Sequence, residues 1–308
     1  MHLRQLEYII MLEETQQANK AADRCGVAHS TLCYMVQKLE EELGVKLFDR
    51  NSQRTLPTPA GERVLTLAKE ILAQVSCMGQ VAQEANGSMN GVVRLGILPT
   101  VAPYLLPRFF PLFRKQHPET DLHVLEMKTD ELNCALDEGQ IDAAIWVNLK
   151  EKRFNYQKSL YFEQFVGYVS RESRLFGQPS LRSSDLQHEY LWLLDEGHCF
   201  RDQLVKFCHM ERAQESRKAY SLGSIETFMR MVEGGQGVTF IPELAVDQLT
   251  KSQRELVRPF ALPTPTREIV LTCSDKFVRY SLLDLIRDAI LAKIPKRMQT
   301  LQPTQLRI

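Results

Sequence analysis

The stretch "ANKAADRCGVAHSTLCYMVQKLEEEL", residues 18–43, contains two amphipathic segments with one glycine between them. Residues 18–25 and 30–43 place their apolar side chains at helical spacing, and residues 5–16 upstream do the same. Gly26 lies in the short break after the first segment. A glycine-containing break of this kind is typical of a helix-turn-helix, whose second helix enters the major groove of DNA. We therefore predict three N-terminal helices that bind double-stranded DNA.

A predicted hairpin follows the third helix. In "VKLFDRNSQRTLPT", residues 45–58, two strand-like runs flank a polar turn at residues 51–53, with Arg50 and Arg54 on either side of the turn. A hairpin beside a recognition helix is a wing, and its arginines usually contact phosphates. Residues 1–58 are thus predicted to form a winged helix-turn-helix domain. The side chains expected to reach DNA are Arg4, His29, Ser30, Thr31, Tyr34, Lys38, Arg50 and Arg54.

A long helix is predicted next, over residues 59–87. Thr58 and Pro59 form a helix-start signal, with the threonine as N-cap. The helix carries apolar residues in an unbroken 4-3-4-3-4 spacing, at Val64, Ala68, Ile71, Val75, Met78 and Ala82. Such a seam favours a partner helix, so we predict a homodimer or homotetramer; packing on the chain's own downstream domain is the alternative. "NGSMNG", residues 86–91, is typical of a hinge.

From residue 92 onward, strand-like and helix-like segments alternate, and the pattern restarts after Phe165. The alternation predicts a parallel α/β sheet, and the restart predicts two lobes joined by crossovers. The expected strands include "YLWLLD" at residues 190–195. Small ligands of such folds bind in the cleft at the C-terminal ends of strands. We assign a two-lobed α/β regulatory domain to residues 88–308, with lobe I over 91–162 and 265–308 and lobe II over 163–264.

Composition limits the possible functions. The chain has 38 Lys and Arg against 38 Asp and Glu, so DNA binding must come from a local basic patch. Seven scattered cysteines without CxxC pairs or His/Cys clusters argue against a secreted disulfide framework and against a metal site. Without a GxSxG, GxGxxG, GxxxxGK[ST] or HExxH motif, we expect neither enzyme activity nor a cofactor. The sequence shows no signal peptide or membrane-spanning run, so we expect a cytoplasmic protein.

Motifs in both halves resemble the LysR-type transcriptional regulators. In the N-terminal half they are "LRQLEY" (residues 3–8), "AAD" (21–23), "KLEEELGVKLFDR" (38–50) and "TPAG" (58–61). In the effector region, the motifs similar to the hydrogen-peroxide-sensing OxyR branch are "LGILPTVAPYLLP" (95–107), "EGHCFRDQ" (196–203), "FC" (207–208) and "SIETFMRMV" (224–232). The resemblance covers essentially the whole chain. It implies a periplasmic-binding-protein-like effector domain, with DNA and RNA polymerase as partners and hydrogen peroxide as the signal for oxidative-stress genes.

The recognition helix departs from the usual pattern of this family. The chain has "AHSTLC" at residues 28–33, where family members typically carry "SQPALS" or "SQPTLS". Ala28 replaces the customary capping serine, which costs up to about 1 kcal/mol unless Ser30 takes over the capping. The family's DNA sequence preference is therefore not transferred to this chain.

The stretch "DEGHCFRDQLVKFC", residues 195–208, sets two cysteines nine positions apart. If residues 200–207 are helical, a rise of about 1.5 Å per residue separates their Cα atoms by roughly 13 Å, whereas a disulfide requires about 7 Å or less. The two thiols are therefore either unrelated structural cysteines or the two ends of a switch. Cys199 precedes a helix N-terminus beside His198 and Arg201, and both features favour a thiolate.

The resemblance implies that these cysteines form a switch. It assigns Cys199 as the cysteine that peroxide oxidises and Cys208 as its resolving partner in a disulfide. The peroxide site that it implies consists of Thr100, Thr129, His198, Asp202 and Arg267. The other cysteines are expected to be structural. One alternative is a LysR regulator that responds to a small organic effector in the cleft, with the cysteines incidental; another is an enzyme or solute binder fused to a DNA anchor.

Overall fold

Two separate hydrophobic cores divide the chain into two units. The units comprise Met1–Ala85 and Asn86–Ile308. The computed structural model describes residues 1–49, 54–148, 154–195, 198–208 and 224–308. Within these ranges, every helix is too short or too polar to cross a membrane.

The N-terminal unit begins with the three predicted helices, which are confirmed. They are α1 (Leu3–Thr15), α2 (Ala18–Cys25) and α3 (His29–Leu43). Ile9 and Leu32 are fully buried in the core between them. Gly26 adopts a φ of +66°, and its N–H donates to the carbonyls of Ala22 and Asp23. The break after α2 is therefore a left-handed cap, a backbone conformation that glycine adopts without steric cost.

Two short antiparallel strands, β1 (Phe48–Asp49) and β2 (Leu56–Pro57), form the predicted wing. The buried carboxylate of Glu40 in α3 holds the base of the wing. It accepts hydrogen bonds from the N–H of Leu47 at 2.8 Å and from Lys46 Nζ at 2.9 Å. Burial alone raises the pKa of Glu40, but these hydrogen bonds outweigh burial and leave the pKa below its usual value. The wing prediction is thus confirmed for its two strands.

Helix α4 (Pro59–Ala85) begins at the predicted start signal. The N–H of Gly61 donates to Thr58 Oγ1 at 3.0 Å, so Thr58 caps the first turn. Within the apolar seam, Ala68 is buried in the core of the N-terminal unit, whereas Met78 is 72% exposed. The helix prediction is confirmed, and its pairing with a second chain stays a prediction.

The second unit is the two-lobed α/β domain. Its elements in chain order are β3 (Gly91–Ile97), α5 (Ala102–Gln116), β4 (Thr120–Glu126), α6 (Thr129–Glu138), β5 (Ala143–Val147), β6 (Gln157–Val169), α7 (Cys199–Phe207), α8 (Ile225–Glu233), β7 (Val238–Pro242), α9 (Lys251–Arg254), β8 (Val257–Pro259), β9 (Thr264–Cys273), α10 (Tyr280–Leu291) and β10 (Gln305–Arg307). The strand order is β4-β3-β5-β9-β6-β7, with β10 beside β9 and β8 beside β6.

The sheet is mixed, so the prediction of a parallel sheet is wrong. The β3–β4, β3–β5 and β9–β10 pairs are parallel. In contrast, β9 is antiparallel to β5 and β6, and β6 is antiparallel to β7 and β8. The reason is that β6 carries the chain from lobe I into lobe II and β9 carries it back, so the two crossing strands run in opposite directions.

The strand predicted at residues 190–195 is also wrong. In this segment Leu191 forms an isolated bridge to Val238, and the burial along residues 190–195 does not alternate as it does in a half-buried strand. The N–H of Trp192 donates to the Val238 carbonyl, so the segment lies beside β7 without extending the sheet.

Candidate redox site at the start of helix α7

The first turn of α7 lies beside the crossing strand β9. Cys199 is the first residue of the helix, and His198 is its N-cap, without a hydrogen bond from the His198 side chain to the helix. The structure brings Cys199 together with Thr129, the first residue of α6, and with Arg267 of β9, both of which act on its thiol. Thr100, which follows β3, contacts Arg267. Four of the predicted site residues therefore meet at one place.

Arg267 is fully buried and is the cation of this site. Its Nη1 donates to Thr100 Oγ1 at 3.0 Å, and its Nη2 donates to the Thr100 carbonyl at 3.0 Å. The guanidinium carbon lies 4.8 Å from the ring centroid of Phe200 and 5.8 Å from that of Phe165. Cation–π contacts of this kind and hydrogen bonds to Thr100 hold the charge in one position.

Glu163 in β6 completes the site and was missed in the sequence. It is 1% exposed and accepts hydrogen bonds from Arg267 Nε at 2.9 Å and Nη2 at 2.7 Å. Burial raises the pKa of Glu163, and the charge of Arg267 opposes that rise. A signal was available: Tyr161, Glu163 and Phe165 share one face of a strand, so a carboxylate stands where only apolar residues are expected.

The surroundings of Cys199 correct the thiolate expectation. Removal from water raises the pKa of the Cys199 thiol, and this outweighs the lowering by the Thr129 hydroxyl, the charge of Arg267 and the N–H of Phe200. The negative charge of Asp202 raises the pKa further. The Thr129 oxygen is itself buried without a hydrogen-bond partner in the described chain, although it lies close enough to the Cys199 sulfur to favour the thiolate.

The two neighbours expected to supply positive charge to Cys199, His198 and Arg201, are not its source. Burial, together with the nearby charge of Lys128, lowers the pKa of His198, so its imidazole is neutral at pH 7. Arg201 forms an ion pair with the exposed Asp202, with 3.5 Å between Nη1 and Oδ1. The positive charge that acts on Cys199 comes instead from Arg267, which is distant in the sequence.

Cys208 lies at the opposite end of α7 in different surroundings. It is 1% exposed, and burial raises the pKa of its thiol to about 12. The segment between the two cysteines is helical, and both thiols are free. At about 1.5 Å per residue, their Cα atoms are therefore roughly 13 Å apart. The two residues can form a disulfide only if α7 unwinds.

The predicted DNA-contacting residues lie on the N-terminal unit. Arg4, His29, Ser30, Thr31, Tyr34, Lys38 and Arg54 are exposed. Arg50 lies outside the described residues. Ala28 is the N-cap of α3 and provides no side-chain hydrogen bond, so the predicted loss of a cap is confirmed, and Ser30 does not replace it. His29 Nε2 lies 3.5 Å from Cys33 Sγ on the same helix face.

Two family models match the chain. "Bacterial regulatory helix-turn-helix protein, lysR family" matches residues 3–62, and "LysR substrate binding domain" matches residues 86–293. The hydrogen peroxide-inducible genes activator of Dickeya chrysanthemi is 34% identical to this chain over 271 residues, which are 88% of each protein.

Two solved structures of OxyR proteins are similar to this chain. The crystal structure of OxyR from Porphyromonas gingivalis is 46% identical, covers 70% of this chain and 99% of its own, and superposes with a TM-score of 0.65. A full-length OxyR variant from Pseudomonas aeruginosa is 30% identical, covers 96% and 99% of the two chains, and has a TM-score of 0.74. The chain therefore belongs to the LysR family of bacterial helix-turn-helix regulators. Within that family it belongs to the OxyR branch.

Proposed function

We propose that this protein is a peroxide-responsive transcriptional regulator that binds double-stranded DNA through α3 and the wing. The observation that carries the proposal is the placement of Cys199 at a helix N-terminus, beside the Thr129 hydroxyl and the buried charge of Arg267. The name of the Dickeya chrysanthemi relative, a hydrogen peroxide-inducible genes activator, supports the same signal. Thr100, Thr129, His198, Asp202 and Arg267 form the peroxide site.

The chemistry consumes one peroxide per switch. The Cys199 thiolate attacks one peroxide oxygen, the O–O bond breaks, and the other oxygen leaves as hydroxide, which takes up a proton to become water. Cys199 is now a sulfenic acid. The Cys208 sulfur attacks the sulfenic sulfur, water leaves, and a disulfide forms. Two thiols are oxidised and one peroxide is reduced to two waters.

Closing this disulfide remodels the regulatory domain. The Cα atoms of Cys199 and Cys208 are roughly 13 Å apart in the helix, whereas a disulfide requires about 7 Å or less. The segment α7 therefore cannot remain helical in the oxidised protein. Phe200 and Leu204, now buried on the inner face of α7, must then leave their positions in the core of lobe II. A covalent event at one helix thus selects between two packings, and a homodimer or homotetramer would transmit the change to DNA and to RNA polymerase.

The first test is peptide mass mapping of the reduced protein under non-reducing conditions, before and after one equivalent of hydrogen peroxide. We expect a linkage between Cys199 and Cys208 within seconds to minutes. Cys134 and Cys273 are internal controls, because one is exposed and the other buried and neither is expected to react. DNA binding of the two states is then compared on the same samples.

Two free thiols after peroxide treatment, or over-oxidation without a linkage, would contradict the proposal. The alternative function, a LysR regulator that binds an organic effector in the cleft, would then be the better explanation. That alternative also expects a Cys199→Ser variant to respond normally to its ligand.

A further inference from the structure

The Arg267 side chain is held from two sides. A guanidinium has five N–H groups. Four hydrogen bonds are formed: Nε and Nη2 donate to Glu163 Oε2, Nη2 also donates to the Thr100 carbonyl, and Nη1 donates to Thr100 Oγ1. Within the described part of the chain, the second N–H of Nη1 has no acceptor. Thr100 and Glu163 therefore share the guanidinium and leave one donor for a further group.

The position of Arg267 does not depend on Glu163 alone. Both bonds to Thr100 and the contact with the Phe200 ring remain available without a carboxylate. A glutamine at position 163 would also still present a carbonyl oxygen to the guanidinium. A glutamine cannot supply the negative charge, which lies 2.7 Å from Nη2, where both side chains are buried.

We propose that Glu163 is a positioning residue that restrains Cys199 by neutralising the Arg267 charge. The inference rests on the proposed function and names a residue of the same site that limits its reactivity. Inside a protein a charge acts over a longer distance than in water, because the surroundings screen it less. With the carboxylate beside it, Arg267 presents a reduced positive field to the Cys199 sulfur. Loss of the carboxylate therefore favours the thiolate, which is the nucleophilic form.

Several other titratable groups face the Cys199 end of α7. They are Asp202 on α7 itself, His198 and Asp195 just before it, and Lys128 and Glu131 near the start of α6. Asp202 and Lys128 are exposed or lie near solvent, so salt and water weaken their effect. Arg267 and Glu163 are both buried, and their effect on Cys199 is the least screened.

The test compares Glu163→Gln with Glu268→Gln in the full-length protein. Glu268 is the matched control: it is also a buried carboxylate paired with an arginine, Arg307 at 2.8 Å, but it lies on the opposite face of β9 from Arg267. The reduced proteins are alkylated with iodoacetamide from pH 6 to pH 10, and the Cys199 peptide is quantified by mass spectrometry. We expect Glu163→Gln to raise the alkylation rate at pH 7 by about three- to tenfold and to shift the profile to lower pH. Glu268→Gln is expected to match the wild type.

An unchanged or lower Cys199 rate in Glu163→Gln would overturn the inference. Removal of a buried charge can also prevent folding, so a double variant, Glu163→Met with Arg267→Met, provides a second measurement that leaves no unpaired charge. If Glu163 acts on Cys199 through the Arg267 charge, removing both residues gives no gain, so the Cys199 alkylation rate in the double variant is expected not to exceed that of the wild type. A rate above that of the wild type would show that Glu163 restrains Cys199 without Arg267 and that the inference is wrong.

The alkylation experiment is independent of the proposed function. Iodoacetamide reports the thiolate of Cys199 whether or not peroxide forms a disulfide with Cys208. A failure of the mass mapping would therefore leave the role of Glu163 open to this test, and a failure here would leave the disulfide proposal intact.

Discussion

The two ends of α7 carry the same residue type in opposite surroundings. Cys199 is half-buried at the N-terminus, where a backbone N–H, a hydroxyl and a buried guanidinium each favour its thiolate. Cys208 is buried at the C-terminus, and burial alone raises the pKa of its thiol to about 12. Groups that stabilise a thiolate therefore surround the Cys199 thiol, whereas burial dominates the surroundings of the Cys208 thiol. The ionisation of a cysteine therefore depends on its surroundings in the fold, and the same residue type can be favoured as a thiolate at one helix end and as a thiol at the other.

The same comparison supports an order of events for the proposed switch. We expect Cys199 to react first, because its thiolate has stabilising partners, whereas Cys208 must leave its apolar surroundings before it can attack. In this proposal the helix between the two cysteines is the barrier to the second step. Three side chains of this helix, Phe200, Leu204 and Val205, are buried, and we expect their packing to set the height of that barrier.

The largest expected effect comes from removing either cysteine. Cys199→Ser removes the nucleophile, so peroxide is expected to leave Cys208 as a free thiol. Cys208→Ser is expected to form the Cys199 sulfenic acid at the normal rate but no disulfide. Dimedone trapping followed by mass spectrometry distinguishes the two products. A sulfenic acid on Cys208 in the Cys199→Ser variant would break the comparison, because it would show that burial does not protect that thiol.

The next largest effect is expected from pH. The pKa of Cys199 is raised by burial, so its thiolate is the minor form at pH 7. Below that pKa, the thiolate fraction and the rate of Cys199 oxidation by peroxide are expected to rise about tenfold per pH unit. Stopped-flow measurement on Cys208→Ser between pH 6 and pH 8 tests this. A rate independent of pH would mean that Cys199 is already ionised at pH 6.

A smaller, roughly tenfold effect is expected from loosening α7. Leu204 is fully buried in α7, and Leu204→Ala is expected to lower the free energy of unfolding by about 2–4 kcal/mol. Because the helix must unwind for the thiols to meet, disulfide formation from the sulfenic acid is expected to be about tenfold faster. Ile290→Ala in α10, equally buried, is the control. Rapid-quench mass spectrometry measures the second step, and equal rates in both variants would exclude unwinding of α7 as its barrier.

The smallest effect is expected in the other unit. Ala28→Ser restores a capping side chain at the uncapped N-terminus of α3 and is expected to stabilise the N-terminal unit by about 0.5–1 kcal/mol. Thermal unfolding monitored by circular dichroism measures the gain. The rate of Cys199 oxidation is expected to remain that of the wild type. A change in that rate would mean that the difference between the two ends of α7 is not set locally.

Sequence alone determined the features that depend on neighbours along the chain. Helical spacing predicted α1, α2 and α3, Thr58 and Pro59 predicted the start of α4, and alternation predicted a two-lobed α/β unit. The distance between the Cα atoms of Cys199 and Cys208 was also predicted, because it follows from the helical rise of the segment between them, which is a local property. These features follow from local periodicity and capping, which need no knowledge of the distant chain.

Tertiary structure decided what depends on distant parts of the chain. The mixed sheet arises because β6 and β9 cross between the lobes in opposite directions, a matter of topology that local patterns do not encode. The cation that acts on Cys199 is Arg267 in β9, not a residue next to Cys199 in the sequence. Glu163 in β6 accepts hydrogen bonds from that cation. The raised pKa of Cys199 has the same origin, because desolvation depends on every segment that packs around the sulfur. Sequence placed Cys199 at a helix start, and only the folded chain set the protonation of its thiol, its partners and its access to water.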